Sequence, residues 1–305
     1  MNVIVRITTC LLLLACSNLA FADEGVDRGP VYHILPDVDM IPTTSLEYGR
    51  PRIVIKAIVP KLVSAADDLI IDDYNDVALN LIDEESEDYK EAVQSHEESQ
   101  NTMASAEIKN DVIIDFDSSI LNKGQTPILS LRFDIQGVIS GMSQPYRKHR
   151  VLNYDLDTGD LIELSDLFEE DSDYLEVLAE NARILLSKKL VSKAMIAAGT
   201  EPKIENYQIW NMTPDGLRFT FEANQVAPAI YGAQTITIPY QELDEIIEPE
   251  SVLAKCLKHK RSCFGQSIIT GGFIDEAKNQ EQSKLSPVVA SVSKKISAKE
   301  MLADK

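Results

Sequence analysis

The stretch YQIWNMTPDGLRFTFEANQVAPAIYGAQTITIPYQEL, residues 207–243, contains the strongest fold signal in the chain. A tight turn is predicted at Thr213–Gly216, because proline presets φ at the second turn position and glycine accepts backbone conformations that other residues avoid. After the turn, apolar and polar side chains alternate, which is the pattern of a strand buried on one face. The apolar residues of this alternation are Leu217, Phe219 and Phe221, and the polar ones are Arg218, Thr220 and Glu222.

A second alternation follows a connecting loop in the same stretch. Ile236 and Ile238 alternate with threonines, and Pro239 ends this strand before a short helical turn within Tyr240–Ile247. The whole stretch therefore predicts a hairpin, a loop, a further strand and a helical turn. It contains no obvious catalytic residue.

Length and charge narrow the class of protein. A chain of 305 residues can hold one large domain or two small ones around an apolar core. Its formal net charge of −20 argues against a nucleic-acid partner, because phosphate binding requires clustered lysine and arginine. The acidity favours solubility, or attraction to a basic protein partner.

Residues 1–22 have the composition of a secretory signal peptide. A positive charge at Arg6 precedes an apolar run, Ile7–Ala15, and an A-x-A cleavage site ends at Ala22. The alternative is a lipoprotein signal, in which Cys16 is lipid-modified and retained. We therefore expect a periplasmic or secreted protein cleaved after Ala22, or a lipoprotein anchored through Cys16. No later run approaches the roughly 18 apolar residues that a membrane span requires.

Two cysteines, Cys256 and Cys263, lie beyond the signal segment. In an exported protein, two cysteines this close in sequence predict a disulfide. The alternatives are two free thiols, or a metal site in which His259 is a third ligand and the fourth has no clear identity. Residues 251–305 are therefore predicted to form a disulfide loop followed by a mobile polar tail.

The segment before the main elements has no hydrophobic period. Residues 23–50 contain scattered prolines, and they are predicted to form an extended leader. Residues 51–147 are predicted to form an N-terminal α+β part, because short runs rich in β-branched residues flank a helical pattern. The predicted strands of this part are Ile53–Val59, Asp111–Asp117 and Pro127–Val138.

An acidic helix is predicted between the first two of these strands, over Asp68–Glu98. Its first half carries an apolar stripe. Its second half is rich in aspartate and glutamate, with Lys90 as the opposing charge. A charge run of this kind is typical of a solvated face, so the helix is expected to fray beyond Asp83.

Residues 148–250 are predicted to form a C-terminal α+β part. Two short strands, Val151–Leu156 and Leu161–Leu164, meet at an acidic turn. The clearest helical pattern, Asp173–Ala198, has leucines and alanines at three- and four-residue spacing, and Gly199 is a natural stop. The chain therefore predicts an α+β fold. Its sheet is mixed or antiparallel and curved, with this long helix packed on it and the acidic helix as a second.

The sequence contains no complete catalytic motif of a recognised kind. Ser140 falls one place late for the nucleophile-elbow pattern G-x-S-x-G within Gly137–Gly141. The four histidines share no metal-type spacing. The single tryptophan, Trp210, is expected in the core, with a groove-lining position as the alternative. The residues alone therefore identify no enzyme, no metal site and no cofactor.

Two segments carry a resemblance to a known family. Val151–Phe168, with the sequence VLNYDLDTGDLIELSDLF, and the stretch from Met212 to Leu243 resemble the extracytoplasmic domain of RsiV-type anti-sigma factors. This domain of unknown function is also similar to a mycobacterial secreted immunogenic protein. The region from Ile53 to Gln144 resembles the domain that stands beside the catalytic part of a peptidoglycan deacetylase.

One motif departs from the family pattern. Where members commonly carry Gly-Gly-Ala-His-Pro, this chain has Gly141–Pro145, with Gln144 in place of histidine. A role that rests on the imidazole therefore does not carry over. The sigma-binding part of the anti-sigma factors and the metal-binding catalytic domain of the deacetylase have no counterpart here. The resemblance implies an envelope-facing recognition module, whose best-known relative binds lysozyme.

Two classes of function follow. The first is an exported, non-enzymatic envelope protein that binds a lysozyme-type muramidase or a cell-wall (peptidoglycan) fragment. The second is an envelope hydrolase that acts on esters or glycans through carboxylates or Ser140, in a cleft near Gln144 and Tyr231. No cofactor and no nucleic-acid partner is expected for either class. The predicted contact residues are Tyr231, Met142, Tyr146 and Gln144.

Overall fold

The computed structural model describes much of the chain between residues 29 and 270. The described residues are 29–50, 52–66, 68–100, 109–121, 127–258, 263 and 268–270. The predicted signal peptide, the predicted lipid anchor and most of the predicted polar tail lie outside them. Within the described residues, no helix has both the length and the apolar character that crossing a membrane requires.

The main sheet has eight strands and is mixed. Its order is β1-β2-β3-β4-β5-β6-β7, and β11 pairs with β4 beyond the part of β4 that pairs with β3. The β3–β4 pair is parallel, and the other described pairs are antiparallel. The strands are β1 (Tyr32–Leu35), β2 (Val38–Gly49), β3 (Ile53–Ser64), β4 (Asn110–Leu121), β5 (Ile128–Val138), β6 (Tyr146–Asp155), β7 (Asp160–Leu161) and β11 (Ile268–Thr270).

A second sheet confirms the prediction for residues 207–243. It is antiparallel, with the order β10-β9-β8. Gly216 is required after the turn, because a Cβ at this position would collide with the carbonyl oxygen of Ile238. A short 3-10 turn, Tyr240–Glu242, follows the last strand. The strands are β8 (Trp210–Thr213), β9 (Gly216–Phe221) and β10 (Gln234–Ile238).

Helices cover both sheets and complete two apolar cores. The first core lies between α1 and one face of the main sheet, and it includes Tyr74, Tyr89 and Phe133. The second core includes Leu186 of α2, which packs on β10, and Phe219 of β9. The predicted α+β fold with a mixed sheet is confirmed. The described helices are α1 (Leu69–Gln100), α2 (Tyr174–Ser187), α3 (Lys193–Gly199) and α4 (Val252–Lys258).

The segment predicted as an extended leader contributes β1 and β2 to the main sheet, so that prediction is wrong over these strands. Ile34 and Met40 are fully buried there. Pro42 faces Pro60 in the β2–β3 register, and its carbonyl accepts a hydrogen bond from Gly29 on the outer side. A non-hydrogen-bonded antiparallel pair needs no N–H from either residue, so both prolines fit within strands.

The acidic helix α1 does not end near Asp83, so the predicted fraying is wrong. Tyr89 and Val93 continue its apolar stripe, and both are fully buried. Glu85 is also buried, and its carboxylate pairs with Lys148 of β6 at 2.9 Å. The acidic residues of α1 therefore face the solvent on its outer side, while the inner side of the helix packs on the sheet.

The pattern over Asp173–Ala198 forms two helices rather than one long helix, which corrects the prediction. α2 ends at Ser187 and α3 begins at Lys193, with the exposed Val191 between them. Serine and valine have lower helix propensity than the leucines and alanines on either side. The long helix of the fold is therefore α1.

The predicted boundary between residues 147 and 148 falls inside β6. The strand runs without interruption, and its Tyr154 packs in the first core. The second core includes Leu121 of β4 and Ile128 of β5, so both cores use the main sheet. The division into an N-terminal and a C-terminal part stays a prediction.

The predicted disulfide is present. Cys256 of α4 is bonded to Cys263, with their Cα atoms 5.2 Å apart, and both residues are buried in the second core. The two alternative predictions for these cysteines, free thiols and a metal site, are therefore wrong. Disulfides persist in oxidising compartments, so this bond is consistent with an extracytoplasmic location.

Removing the disulfide is expected to lower the free energy of unfolding by about 2–3 kcal/mol, because the bond restricts a short loop in the unfolded chain. Urea unfolding of the oxidised protein and of the Cys256→Ser/Cys263→Ser variant measures the difference. The reduced wild-type protein is the control and should unfold like the variant. Equal unfolding midpoints for the oxidised protein and the variant would contradict the prediction.

Candidate functional site

The two sheets meet through charged and polar side chains. The polar residues of β9 and the following Glu222 face the main sheet, while the apolar residues of β9 enter the second core. Arg218 contacts Asp117 of β4, and Arg132 of β5 lies 3.0 Å from the same carboxylate. We call this ionic cluster the intersheet seam. Its residues are Asp117, Arg132, Asp134, His149, Arg218 and Glu222.

His149 is held in the seam by two carboxylates. Its Nε2 lies 3.2 Å from Asp134 Oδ1, and its Nδ1 lies 3.0 Å from Glu222 Oε2. Burial lowers the pKa of His149, but the two carboxylates outweigh burial and raise the pKa from its ordinary value of 6.5 to about 9. The imidazole is therefore charged at neutral pH. Because both ring nitrogens have acidic partners, His149 stabilises the seam rather than acting as a general base.

The free energy of unfolding is expected to fall as the pH rises from 6.5 to about 9. The folded protein holds the His149 proton more tightly than the unfolded chain, so the stabilisation is fully present below pH 6.5 and is lost as the pH passes through about 9. The loss is on the order of 3 kcal/mol. Urea unfolding across this interval measures the slope. The variant His149→Gln should lose this component, and an unchanged slope in the variant would contradict the assignment.

A groove runs along the free edge of β6. β5 pairs with the strand along one side, whereas on the other side β7 pairs with Tyr154 and Asp155 alone among the described residues. The open part of the edge faces the segment 207–210, which leads into β8. Two cavities of about 470 and 430 Å³ lie there and share Val151 and Gln208. We call the pair of cavities the β6 groove.

The two halves of the β6 groove differ in chemistry, and each has the volume of a small-ligand site. Trp210 is 4% exposed and belongs to the second core, as the sequence predicts, and it also lines the groove. The charged half includes Lys148, His149, Arg150 and Glu222, and the aromatic half includes Tyr174, Tyr207 and Trp210.

Backbone groups of β6 point into the groove. The His149 N–H points outward and donates to Glu222 Oε1 at 2.7 Å, and the outward carbonyl of Asn153 accepts the Ile162 N–H at 2.9 Å. In an antiparallel pair, outward-pointing groups recur at every second residue, so the N–H and C=O of Val151 also point outward. Neither group has a hydrogen-bond partner among the described residues.

The structure separates two of the predicted contact residues. Tyr231 is 64% exposed, and the neighbouring Gly232 lies near the guanidinium of Arg147. Tyr146 instead packs edge-on against Tyr89 of α1, with ring centroids 5.2 Å apart. Because successive strand residues face opposite sides of a sheet, Tyr146 and the loop of Tyr231 lie on opposite faces of β6.

The other two predicted contact residues, Met142 and Gln144, are exposed in the turn between β5 and β6. In the same turn, the Ser140 N–H donates to Asn110 Oδ1 at 2.8 Å. Among the described residues, the Ser140 hydroxyl has no histidine or carboxylate partner of the kind that activates a nucleophile. Neither cavity of the β6 groove is lined by Gln144 or Tyr231. The described part of the chain also places no three His, Cys, Asp or Glu side chains where they would hold a metal.

Apart from Trp210, for which a groove-lining position is the alternative prediction, the residues of the β6 groove are absent from the sequence-based site prediction. Val151 offers backbone atoms, which leave no mark on composition, and Gln208 is one polar residue among many. The available signal is indirect. Arg132 and Asp134 lie on the face of β5 that is opposite the first core. Their charges are complementary to those of the polar residues that alternate along β9 after the turn. A matched pair of polar faces indicates that two sheets pack there.

Comparisons with known proteins find a family model that matches part of the chain. Residues 165–241, which contain β8, β9 and β10, match the model of a protein family of unknown function, DUF3298. The chain is 30% identical over 106 residues to a peptidoglycan-N-acetylmuramic acid deacetylase of Bacillus subtilis. That match covers 34% of this chain and 23% of the deacetylase, so the chain spans about a quarter of its curated relative.

Two crystal structures of DUF3298 family proteins align with most of this chain. One, from Bacteroides fragilis, is 16% identical and has a TM-score of 0.48, with coverage of 75% of this chain and 98% of that chain. The other, from Pseudomonas aeruginosa, is 15% identical with a TM-score of 0.43, and the coverage is 72% and 96%. At these scores the likeness supports no conclusion about function.

Proposed function

We propose that the protein is an extracytoplasmic, non-enzymatic binding module that holds a cell-wall fragment in the β6 groove. The observation that carries the proposal is the groove itself, in which an open strand edge at Val151 lies between a charged half and an aromatic half. The similarity to a protein named as a peptidoglycan deacetylase supports a wall ligand. A signal peptide cleaved after Ala22, or a lipid anchor on Cys16, would deliver the protein to that compartment.

Co-sedimentation with purified, insoluble peptidoglycan tests this function. The protein is expected in the pellet at physiological salt, and an excess of soluble wall fragments should release it. An equally acidic unrelated protein is the control for charge effects. Protein that stays in the supernatant would contradict the proposal, and release of soluble products from the wall would favour the hydrolase alternative. Intact mass of the protein from its host separates a chain that begins at Asp23 from one that is lipidated at Cys16.

A second candidate ligand is a basic protein, with a lysozyme-type muramidase first. The observation that favours it is the exposed tip beside β6, where Ile230 is 90% and Tyr231 is 64% exposed. The net charge of −20 would attract a basic partner, and a specific complex needs such an apolar or aromatic anchor in addition. Calorimetry with lysozyme at physiological salt tests it. Absent binding, or binding that Tyr231→Ala leaves unchanged, would remove this candidate.

A further inference from the structure

We infer that the β6 groove recognises the peptide part of a wall fragment, as a short peptide that extends alongside Val151. The inference rests on the proposed function and names the ligand class of the same groove. Two features carry it, namely the open backbone groups and the length of the open edge.

The open backbone groups define the first contact. Val151 points its N–H and its C=O into the groove, and neither has a partner among the described residues. The outward N–H and C=O of one strand residue match the C=O and N–H of one residue in an extended peptide, which is the pairing unit of strand addition. An N-acetylated sugar also has an amide N–H and C=O, but in a trans amide these point in opposite directions and do not both face one strand residue.

The length of the open edge selects a short ligand. On one side of Val151, the carboxylate of Glu222 already occupies the His149 N–H. On the other side, the N–H of Ile162 occupies the Asn153 carbonyl. A long strand from a protein or from a second copy of this chain would meet both obstacles. A peptide of about three residues fits between them, because each residue of an extended chain spans about 3.3 Å.

The charges that line the groove are balanced by carboxylates of the protein itself. Lys148 and Arg150 line the charged half with side chains 32% and 39% exposed, and His149 adds a third positive charge. Glu222 is the one carboxylate among the residues lining that half. Glu84, Glu85 and Asp88 of α1 and Asp134 of β5 hold these cations in position from outside the lining. The three cations therefore face five carboxylates, so recognition of the ligand rests on the backbone groups of Val151 and not on charge.

Calorimetry with two soluble probes tests the inference. One probe is the set of muropeptides that a muramidase releases from purified peptidoglycan, and the other is the same glycan after an amidase has removed its peptides. The wild-type protein is expected to bind the first at least tenfold more tightly than the second. Equal affinity, or preference for the stripped glycan, would overturn the inference while the proposed function stands. No binding of either probe, together with no co-sedimentation, would overturn both.

A matched pair of variants locates the contact. Val151→Pro removes the outward N–H but no bond to β5, since proline is tolerated where a strand N–H leaves the sheet. Its dissociation constant for muropeptides is expected to rise about fivefold to tenfold, the value of one hydrogen bond. Val151→Thr keeps the N–H and the branched shape, and its affinity should stay within twofold of wild type.

A measurement on the wild-type protein removes any dependence on how Val151→Pro folds. The amide hydrogen of Val151 should exchange with solvent at least tenfold more slowly when muropeptides saturate the protein. Unchanged exchange at Val151 in the saturated protein, or equal affinities of Val151→Pro and Val151→Thr, would overturn the strand-type contact.

Discussion

The substitution Asp117→Ala is expected to lower the free energy of unfolding by about 3–5 kcal/mol, because it breaks a partly buried ion-pair network from its centre. Asp117 is 17% exposed, and its carboxylate pairs with Arg132 at 3.0 Å and with Arg218. Its loss leaves Arg218 without its acidic partner at the contact between the two sheets. Urea unfolding monitored by circular dichroism measures the change.

The matched control for this prediction is an exposed ion pair. Glu201 pairs with Lys203 on the surface, where solvent screens the attraction. Glu201→Ala should therefore leave the unfolding midpoint unchanged. If Asp117→Ala were as mild as Glu201→Ala, the intersheet seam would contribute little to joining the two sheets.

The second large effect is expected for Tyr89→Ala, at about 3–5 kcal/mol, because it empties a fully buried aromatic site between α1 and the main sheet. The Tyr89 hydroxyl also donates to the Val138 carbonyl at 2.6 Å. Tyr89→Phe removes this hydrogen bond alone and should cost about 1 kcal/mol. The control is Tyr48→Ala, since Tyr48 is 72% exposed. Equal effects of Tyr89→Ala and Tyr48→Ala would mean that α1 frays beyond Asp83 after all.

The sequence predicts local structure well where one strong pattern acts alone. The turn before Gly216 and the alternation from Leu217 to Phe221 are set by neighbours in sequence, and the structure confirms both. The surface against which the polar face of β9 packs is formed by residues that are distant in sequence. A strand with Arg218, Thr220 and Glu222 on one face is compatible with water, and only the fold brings that face onto the main sheet.

Competing signals explain the elements that the sequence misplaces. In α1 the many carboxylates lead to the prediction that the helix frays. Tyr89 and Val93 nevertheless continue the helical spacing of the buried stripe. In β2 a proline suggests a leader, but Pro42 occupies a position at which the strand needs no N–H. In the segment after Asp173 the apolar spacing continues across the gap between α2 and α3. Only the low helix propensity of residues within 187–192 indicates that the helix ends there.

The candidate site is the part of the protein that is least predictable from the sequence. Exposed tips such as Tyr231 can be predicted from their loop context, and the structure does expose this residue. The β6 groove depends instead on a strand edge that no neighbour pairs, and on Gln208, which is distant in sequence from Val151. Side-chain patterns do not record which backbone groups remain open, so this site requires the structure.

Intrinsic fluorescence tests the central claim most directly, because Trp210 is the only tryptophan in the protein and it lines the aromatic half of the β6 groove. Soluble muropeptides are titrated into the protein at physiological salt. Occupation of the groove predicts a saturable change in the intensity or wavelength of Trp210 emission, with the same midpoint as calorimetry. Calorimetric binding without any change in Trp210 emission would place the ligand elsewhere, and no binding at all would contradict the groove as a wall-fragment site.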